Sequence, residues 1–446
     1  IMASVNLAAI KIGGVMLGMN AIQILAITST ITLIYTLLGG LRAVILTDIF
    51  QFILAMTGTI LAAYFILKMP QIGGLEGLLN HESVQTKKQF LPDFDDMSTL
   101  VPFFILPIAV QWWSVWYPGA EPGGGGYIAQ RMLSAKNEKH ALGATFLFNF
   151  AHYAVRPWPW ILIALASLII FPDLASLTKA FPNIEPQYIN DDLAYSAMLT
   201  YLPSGLLGLV IGSLAAAFMS TISTHLNWGA SYVVHDFYTR FLNPDLSEKK
   251  KVVLGRWTTA FLLLLAALIA LWLENALQAF NILLQIGAGT GLIFILRWFW
   301  WRINAWSEIT AMVVSFIVAC TFEFTPLSDW PFWIKLLSGV GITTVCWLSV
   351  TFIARPADEA TMIRFCELVR PYAFGWKKVW KPEEDITSSP GLDVANLFLG
   401  TILIYSILFA TGYLLYENYS AGGLTILTAG ISATILIRNL RRQLGS

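Results

Sequence analysis

Ser220, Thr221, Ser223 and Thr224 stand inside the otherwise apolar stretch LLGLVIGSLAAAFMSTISTHLN. Ser220, Ser223 and Thr224 are spaced i, i+3, i+4, so on a helix they share a face and can aim their oxygens at one point. Such a set can dehydrate and hold a hard monovalent cation. Small hydroxyls also let membrane helices pack closely, and the spacing alone is compatible with both. A distant residue bears on the choice. Asp48 lies about one turn into an apolar run, where an unpaired carboxylate costs several kcal/mol that a bound cation would offset. It reads alternatively as an acid near a helix N-terminus at the cytoplasmic interface, paired with Arg42 or the helix dipole.

The elements that carry these residues must be membrane helices. The 446-residue chain is 57% hydrophobic and 12% charged, against about 25% charged for soluble domains. Apolar runs near the ~20 residues needed to cross a bilayer fall at about 1–19, 21–38, 44–69, 100–117, 141–171, 194–234, 252–273, 276–300, 307–325, 332–354, 394–416 and 423–438, which predicts about twelve spans. With Arg42 placed in the cytoplasm, the inner loops collect 20 of the 27 basic residues, as the positive-inside rule requires. Lys11 and Arg156 fall within spans; Lys11 either snorkels or faces a cavity. Ile1 opens inside an apolar run without the n-region of a signal peptide, and the chain reads as a fragment lacking its native N-terminus. Cys320, Cys346 and Cys366 show no CxxC spacing, so neither a disulfide framework nor a zinc site is indicated.

Two connections are long. The outer segment 70–98 carries Asp93, Asp95 and Asp96 and reads as a solvated acidic loop, since its spacing matches no EF-hand. The inner segment 355–392 reads as an amphipathic or irregular linker; its charge suits anionic lipid and is equally what positive-inside placement requires. Two stretches look unfit for helix. WYPGAEPGGGGYIAQR, residues 116–131, has two prolines and five glycines, and unwound backbone at membrane depth is tolerated only in protein or along a cavity. LLQIGAGTGLIF, residues 283–294, is either a second break or a close-packing surface. No HExxH, GxSxG or Walker loop stands in a suitable context, and AEPGGGGY lacks the GKS or GKT ending, so no enzymatic activity is indicated.

Three ordered segments carry a family resemblance. YTLLGGLRAVILTDIFQ (35–51) looks like the signature of the sodium:solute symporter family, whose members carry sugars, sialic acid, proline, inositol, carboxylates and vitamins. QRMLSAKNEKHA (130–141) resembles the stretch after the family's broken sixth core helix. AAFMSTISTHLNWGASYVVHDFYTRF (216–241) is similar to its eighth core helix and cytoplasmic extension. The resemblance implies an all-α polytopic membrane protein with the leucine-transporter-type inverted-repeat (5+5) helix bundle. Residues 1–69 would be core helices three to five, with the first two missing. Residues 100–300 would form the second repeat, and 305–446 the peripheral C-terminal helices with the linker at 355–392.

Carried over residue by residue, the resemblance places a main Na+ site at the Ala217 carbonyl and the Ser220 and Thr221 hydroxyls. It places a second at Asp48, Ser220, Ser223 and Thr224. For the solute it implies Trp116, Tyr117 and Glu121 near the sixth-helix break, His152 and Arg156 on the seventh helix, and Asn281 or Gln285 on the tenth. PGAEPGGGG departs there from the sugar-carrier pattern and shifts the register. The implied activity is sodium-coupled import of a small polar organic solute, a sugar or sugar acid, by a multi-pass protein of the plasma or bacterial inner membrane. No cofactor beyond Na+ and no partner beyond solute, sodium and lipid bilayer is implied, and nucleic acid is not expected. A transporter-like solute sensor and an uncoupled uniporter are the alternatives.

Overall fold

The computed structural model describes residues 1–38, 41–113, 132, 134–273, 276–371, 373–381 and 390–444, with the backbone alone for 35, 37, 38, 41–48, 276–279, 373 and 444. The regular elements among them are helices. The main ones are α1 (Met2–Leu17), α2 (Ala21–Leu38), α3 (Leu41–Leu67), α4 (Glu138–Asn149), α5 (Pro157–Ile170), α6 (Ala194–Leu199) and α7 (Ser204–Ser231). They are followed by α8 (Glu248–Ala270), α9 (Ala276–Leu296), α10 (Ala305–Phe324), α11 (Phe332–Ile353), α12 (Glu359–Val369), α13 (Pro390–Leu415) and α14 (Tyr419–Leu444). They fall into two units, residues 1–88 with 156–279 and residues 89–155 with 280–446.

In the first unit, α1 ends because Gly18 takes the left-handed conformation (φ 66°) and its N–H returns to the Gly14 carbonyl, a cap that costs glycine little. Asn20 and Gln23 then exchange side-chain and backbone hydrogen bonds to start α2, and the pair is bent by 113°. α1, α2, α7 and α8 pack through two apolar cores. One holds Leu7, Ile10, Leu25, Tyr188 and Ala270; the other holds Phe218, Ile222, Leu226 and Leu263. Lys11, 4% exposed, neither snorkels nor stands free: its ammonium pairs with Asp192 at 2.7 Å.

In the second unit, α9 packs on α10 and α11. Cβ atoms on Gly289 and Gly291 would press into Ser315 and Thr343, and into the Trp113 carbonyl. The outer acidic stretch is locally satisfied: Asp96 accepts from the Ser98 N–H and from the Thr99 hydroxyl. The Ser98 hydroxyl above all holds its carboxyl below the usual range.

Eight helices among the described residues are long and apolar enough to span a bilayer, nine if the bent α1–α2 pair counts as one. Met97–Ala109 is a shorter apolar helix, and α9 runs over Ala276–Leu296. Two expectations need correction. The run 194–234 is two helices, α6 and α7, with Pro203 at the start of the second. Residues 283–294 hold no break: α9 is continuous, and its glycines serve close packing.

Candidate functional site

The hydroxyl ladder lies on α7 in the first unit, and the helix presents it on two faces. Ala217 and Thr221, one turn apart, line a groove of about 330 Å³ against α1 and α2, whose other lining residues include Val5, Ala9, Gly13 and Thr28. The groove is apolar apart from the Thr28 and Thr221 hydroxyls. Both bond back to their own helices, Thr28 to the Ile24 carbonyl at 2.7 Å and Thr221 to the Ala217 carbonyl at 3.0 Å. The Ala217 carbonyl and Thr221 hydroxyl are thus already side by side.

The second face begins at Ser213, which with Val210 meets α3 at Gly58, where an added Cβ would touch Val210 at 3.4 Å. Ser220 and Thr224 follow Ser213 at i+7 and i+11, on the same stripe, and both are half-buried. Ser223 is fully buried farther round the helix and donates to the Ser220 carbonyl at 3.2 Å. His225 places Nδ1 2.8 Å from the Thr221 carbonyl. A carbonyl only accepts, so Nδ1 carries the hydrogen there. Asp48 belongs to α3, and its side chain lies outside the described residues.

In the second unit, Gln285 is 4% exposed, and neither its Nε2 nor its Oε1 has a hydrogen-bond partner among the described residues. Such an amide is costly unless something fills it. Asn281 stands one turn earlier on α9 and is half-buried. Trp113, in the 3-10 turn Gln111–Trp113, donates from Nε1 to the Ala288 carbonyl at 3.1 Å and fixes that turn on α9. His152, in the π-turn Phe150–Val155, stacks on Phe148 at 5.0 Å and meets Tyr153 edge-on at 4.7 Å. Arg156, in the first unit, sets its guanidinium 4.7 Å over the Trp160 ring, a cation–π contact. Trp116, Tyr117 and Glu121 lie outside the described residues.

The structure therefore gathers Ala217 with Thr221, Ser220 with Thr224, and Asn281 with Gln285. Sequence reasoning overlooked Trp113, although the adjoining tryptophans before the glycine-rich stretch were a usable signal. It also overlooked Asp192, which is 181 residues from Lys11 and gave none.

Comparison with known proteins agrees with this architecture. Residues 2–315 match the sodium:solute symporter family. Over 325 residues the chain is 30% identical to the sodium/glucose cotransporter of Vibrio parahaemolyticus, covering 70% of this chain and 59% of that protein. Over 333 residues it is 27% identical to the sodium/myo-inositol cotransporter 2 of Oryctolagus cuniculus, covering 67% and 47%. The chain spans about half the length of these curated relatives. Its fold is similar to a solved Na+-coupled sialic acid symporter, described in a substrate-bound outward-open state with a novel Na+-site. The TM-score is 0.54 at 21% identity, over 80% of this chain and 75% of that one. That likeness shows an all-α, multi-pass membrane bundle of the leucine-transporter type, and with the family match over residues 2–315 it makes the chain a member of the sodium:solute symporter family.

Proposed function

We propose that the protein is a sodium-coupled symporter that imports a small polar solute, a sugar or sugar acid. The observation that carries the proposal is the two-faced polarity of α7. Thr221 Oγ1 and the Ala217 carbonyl sit 3.0 Å apart at the groove, while Ser220 and Thr224 share the stripe that meets α3. The first pair, with Ser220, suits one sodium. The second face suits another, with Asp48 supplying the charge. α3 runs from the inner side outward and α7 the reverse, so ten residues back from Gly58 and ten forward from about Gly212 each cover ~15 Å. The backbone of Asp48 then stands level with Ser223. The solved symporter of similar fold is Na+-coupled, which favours sodium as the coupling ion.

For the solute, the unfilled Gln285 amide and its neighbour Asn281 offer donors and acceptors suited to hydroxyl groups. The names of the relatives, sodium/glucose and sodium/myo-inositol cotransporters, favour a polyhydroxylated cargo. Trp116, Tyr117, Glu121 and His152 join Gln285 and Asn281 in the proposed solute set, and Arg156 of the first unit is a separate candidate for an anionic group. Coupling requires that sodium bind one conformation better than the other. Each charge moved contributes about 2.3 kcal/mol per 100 mV, so a second sodium steepens accumulation.

The test is equilibrium binding of radiolabelled Na+ to the purified full-length protein, beside Thr221→Ala, Ser223→Ala and Asp48→Asn. Two saturable sites are expected, one lost in Asp48→Asn and the other weakened in Thr221→Ala. One site indifferent to Asp48 would reduce the mechanism to a single sodium. No saturable binding would overturn symport.

A further inference from the structure

Between α11 and α13 the chain builds a folded platform against the segment that follows α9. Gly375 is seated so closely that a Cβ would overlap the Phe299 carbonyl. The Trp301 N–H donates to the Gly375 carbonyl at 3.4 Å, and Trp376 Nε1 donates to the Trp298 carbonyl at 3.1 Å. Phe299 and Phe374 stack at 5.8 Å. Met362 and Cys366, on the inner stripe of α12, bury themselves with Trp376.

The outward stripe of α12 is different. Leu368 is 84% exposed, with Arg364 one turn before it on the same side. Ile353, the last residue of the membrane helix α11, is 83% exposed and Phe374 57%. Large apolar side chains this open are costly in water, but at the inner end of a membrane helix they meet acyl chains. Between α11 and α13 the sequence holds six basic and six acidic side chains, with all six basic ones at 355–381 and three of the acidic ones following at 383–385. Arg370 closes α12 in the left-handed conformation, its N–H bonded to the Cys366 carbonyl at 2.8 Å, and its charge complements the helix C-terminus.

We infer that this platform docks anionic phospholipid of the inner leaflet. Leu368, Phe374 and Ile353 enter the acyl boundary while Arg364, Arg370 and Lys377 face the phosphates. An in-plane amphipathic helix with basic residues beside its apolar ones binds membranes by this division of labour. Lipid is favoured over a protein partner because the open apolar residues adjoin the end of a membrane-spanning helix and the exposed Arg364, Arg370 and Lys377 stand on the same short stretch as Leu368 and Phe374.

The experiment titrates the detergent-solubilised full chain with phosphatidylglycerol or phosphatidylcholine and counts bound lipids by native mass spectrometry. The combined Arg364→Gln, Arg370→Gln and Lys377→Gln variant is compared with Arg438→Gln, Arg441→Gln and Arg442→Gln at the inner end of α14. The platform variant is expected to lower the preference for phosphatidylglycerol at least about ten-fold, and the α14 variant by less than about two-fold. Leu368→Asn should weaken both lipids and keep the charge preference. An unchanged preference in the platform variant would overturn the inference, as would an equal loss in the α14 variant. A dimeric parent made monomeric by Leu368→Asn would also overturn it, by assigning the surface to a second copy of the chain.

Discussion

α7 and α9 are both apolar helices interrupted by glycines and a few polar side chains, yet they use these residues in opposite ways. On α7, nothing among the described residues lies within 4 Å of where a Cβ would sit on Gly205, Gly208 or Gly212, and Gly229, near its end, meets the Leu262 side chain. Thr221 and Ser223 satisfy themselves on carbonyls of their own helix. On α9, Gly289 and Gly291 are pressed against neighbours, with backbone opposite Gly291, and the Gln285 amide has no hydrogen-bond partner among the described residues. A hydroxyl can return to the preceding turn and later exchange that bond for a cation at little cost. A buried amide has no such refuge. In the proposed mechanism α7 serves reversible ion binding and α9 presents an amide on a rigid support.

The largest expected break in this contrast is Gly291→Ala. Its new methyl meets backbone, which cannot rotate away, so a loss of about 3 kcal/mol or failure to fold is expected. Thermal unfolding in detergent reads it, and an unchanged midpoint would end the claim that α9 is locked. Next comes Lys11→Met, which removes the ammonium paired with Asp192. Removing one partner of a buried pair costs about 3–5 kcal/mol, and the 29% exposure of Asp192 puts this case at the lower end. Adding Asp192→Leu should restore most of the midpoint.

Gln285→Leu should leave stability within about 1 kcal/mol, because it removes an unfilled polar group, while solute affinity falls at least about ten-fold. A loss above about 2 kcal/mol would show that the amide is engaged within the fold. Gly212→Ala, in contrast, should stabilise α7 by about 0.5–1 kcal/mol. The smallest effect concerns Asp358, which accepts from the Thr361 hydroxyl and N–H at 2.7 and 2.8 Å. The hydroxyl first, then the amide, holds its carboxyl below the usual range. A lowered folded value means that the stabilisation is present above the ordinary carboxylate range and is lost as pH falls through the folded value. The protection of the α12 amides, taken relative to their intrinsic exchange rate at each pH, should fall on acidification below pH ~4, and Asp358→Asn should remove that dependence.

Much of this was legible in the chain itself. The membrane class and the shared stripe of Ser220 and Thr224 follow from composition and i, i+4 arithmetic, which act over a few residues, while Ser223, expected on that face, lies farther round the helix and is buried. The 283–294 stretch was not legible as helix, because whether glycines break a helix or let it pack depends on what lies opposite. Here that is Trp113, Ser315 and Thr343.

By itself the sequence determined what is local: apolar length, charge bias across the bilayer, the caps at Gly18 and Asn20, and the hydroxyl spacing of α7. These depend on backbone geometry and side-chain chemistry within a turn or two. Tertiary structure alone decided that Lys11 is neutralised by Asp192, that Thr221 faces a groove while Ser223 is enclosed, and that Gln285 is buried with no partner among the described residues. Burial and partner choice are properties of surfaces brought together from far along the chain, and no periodicity encodes which distant residue will be there.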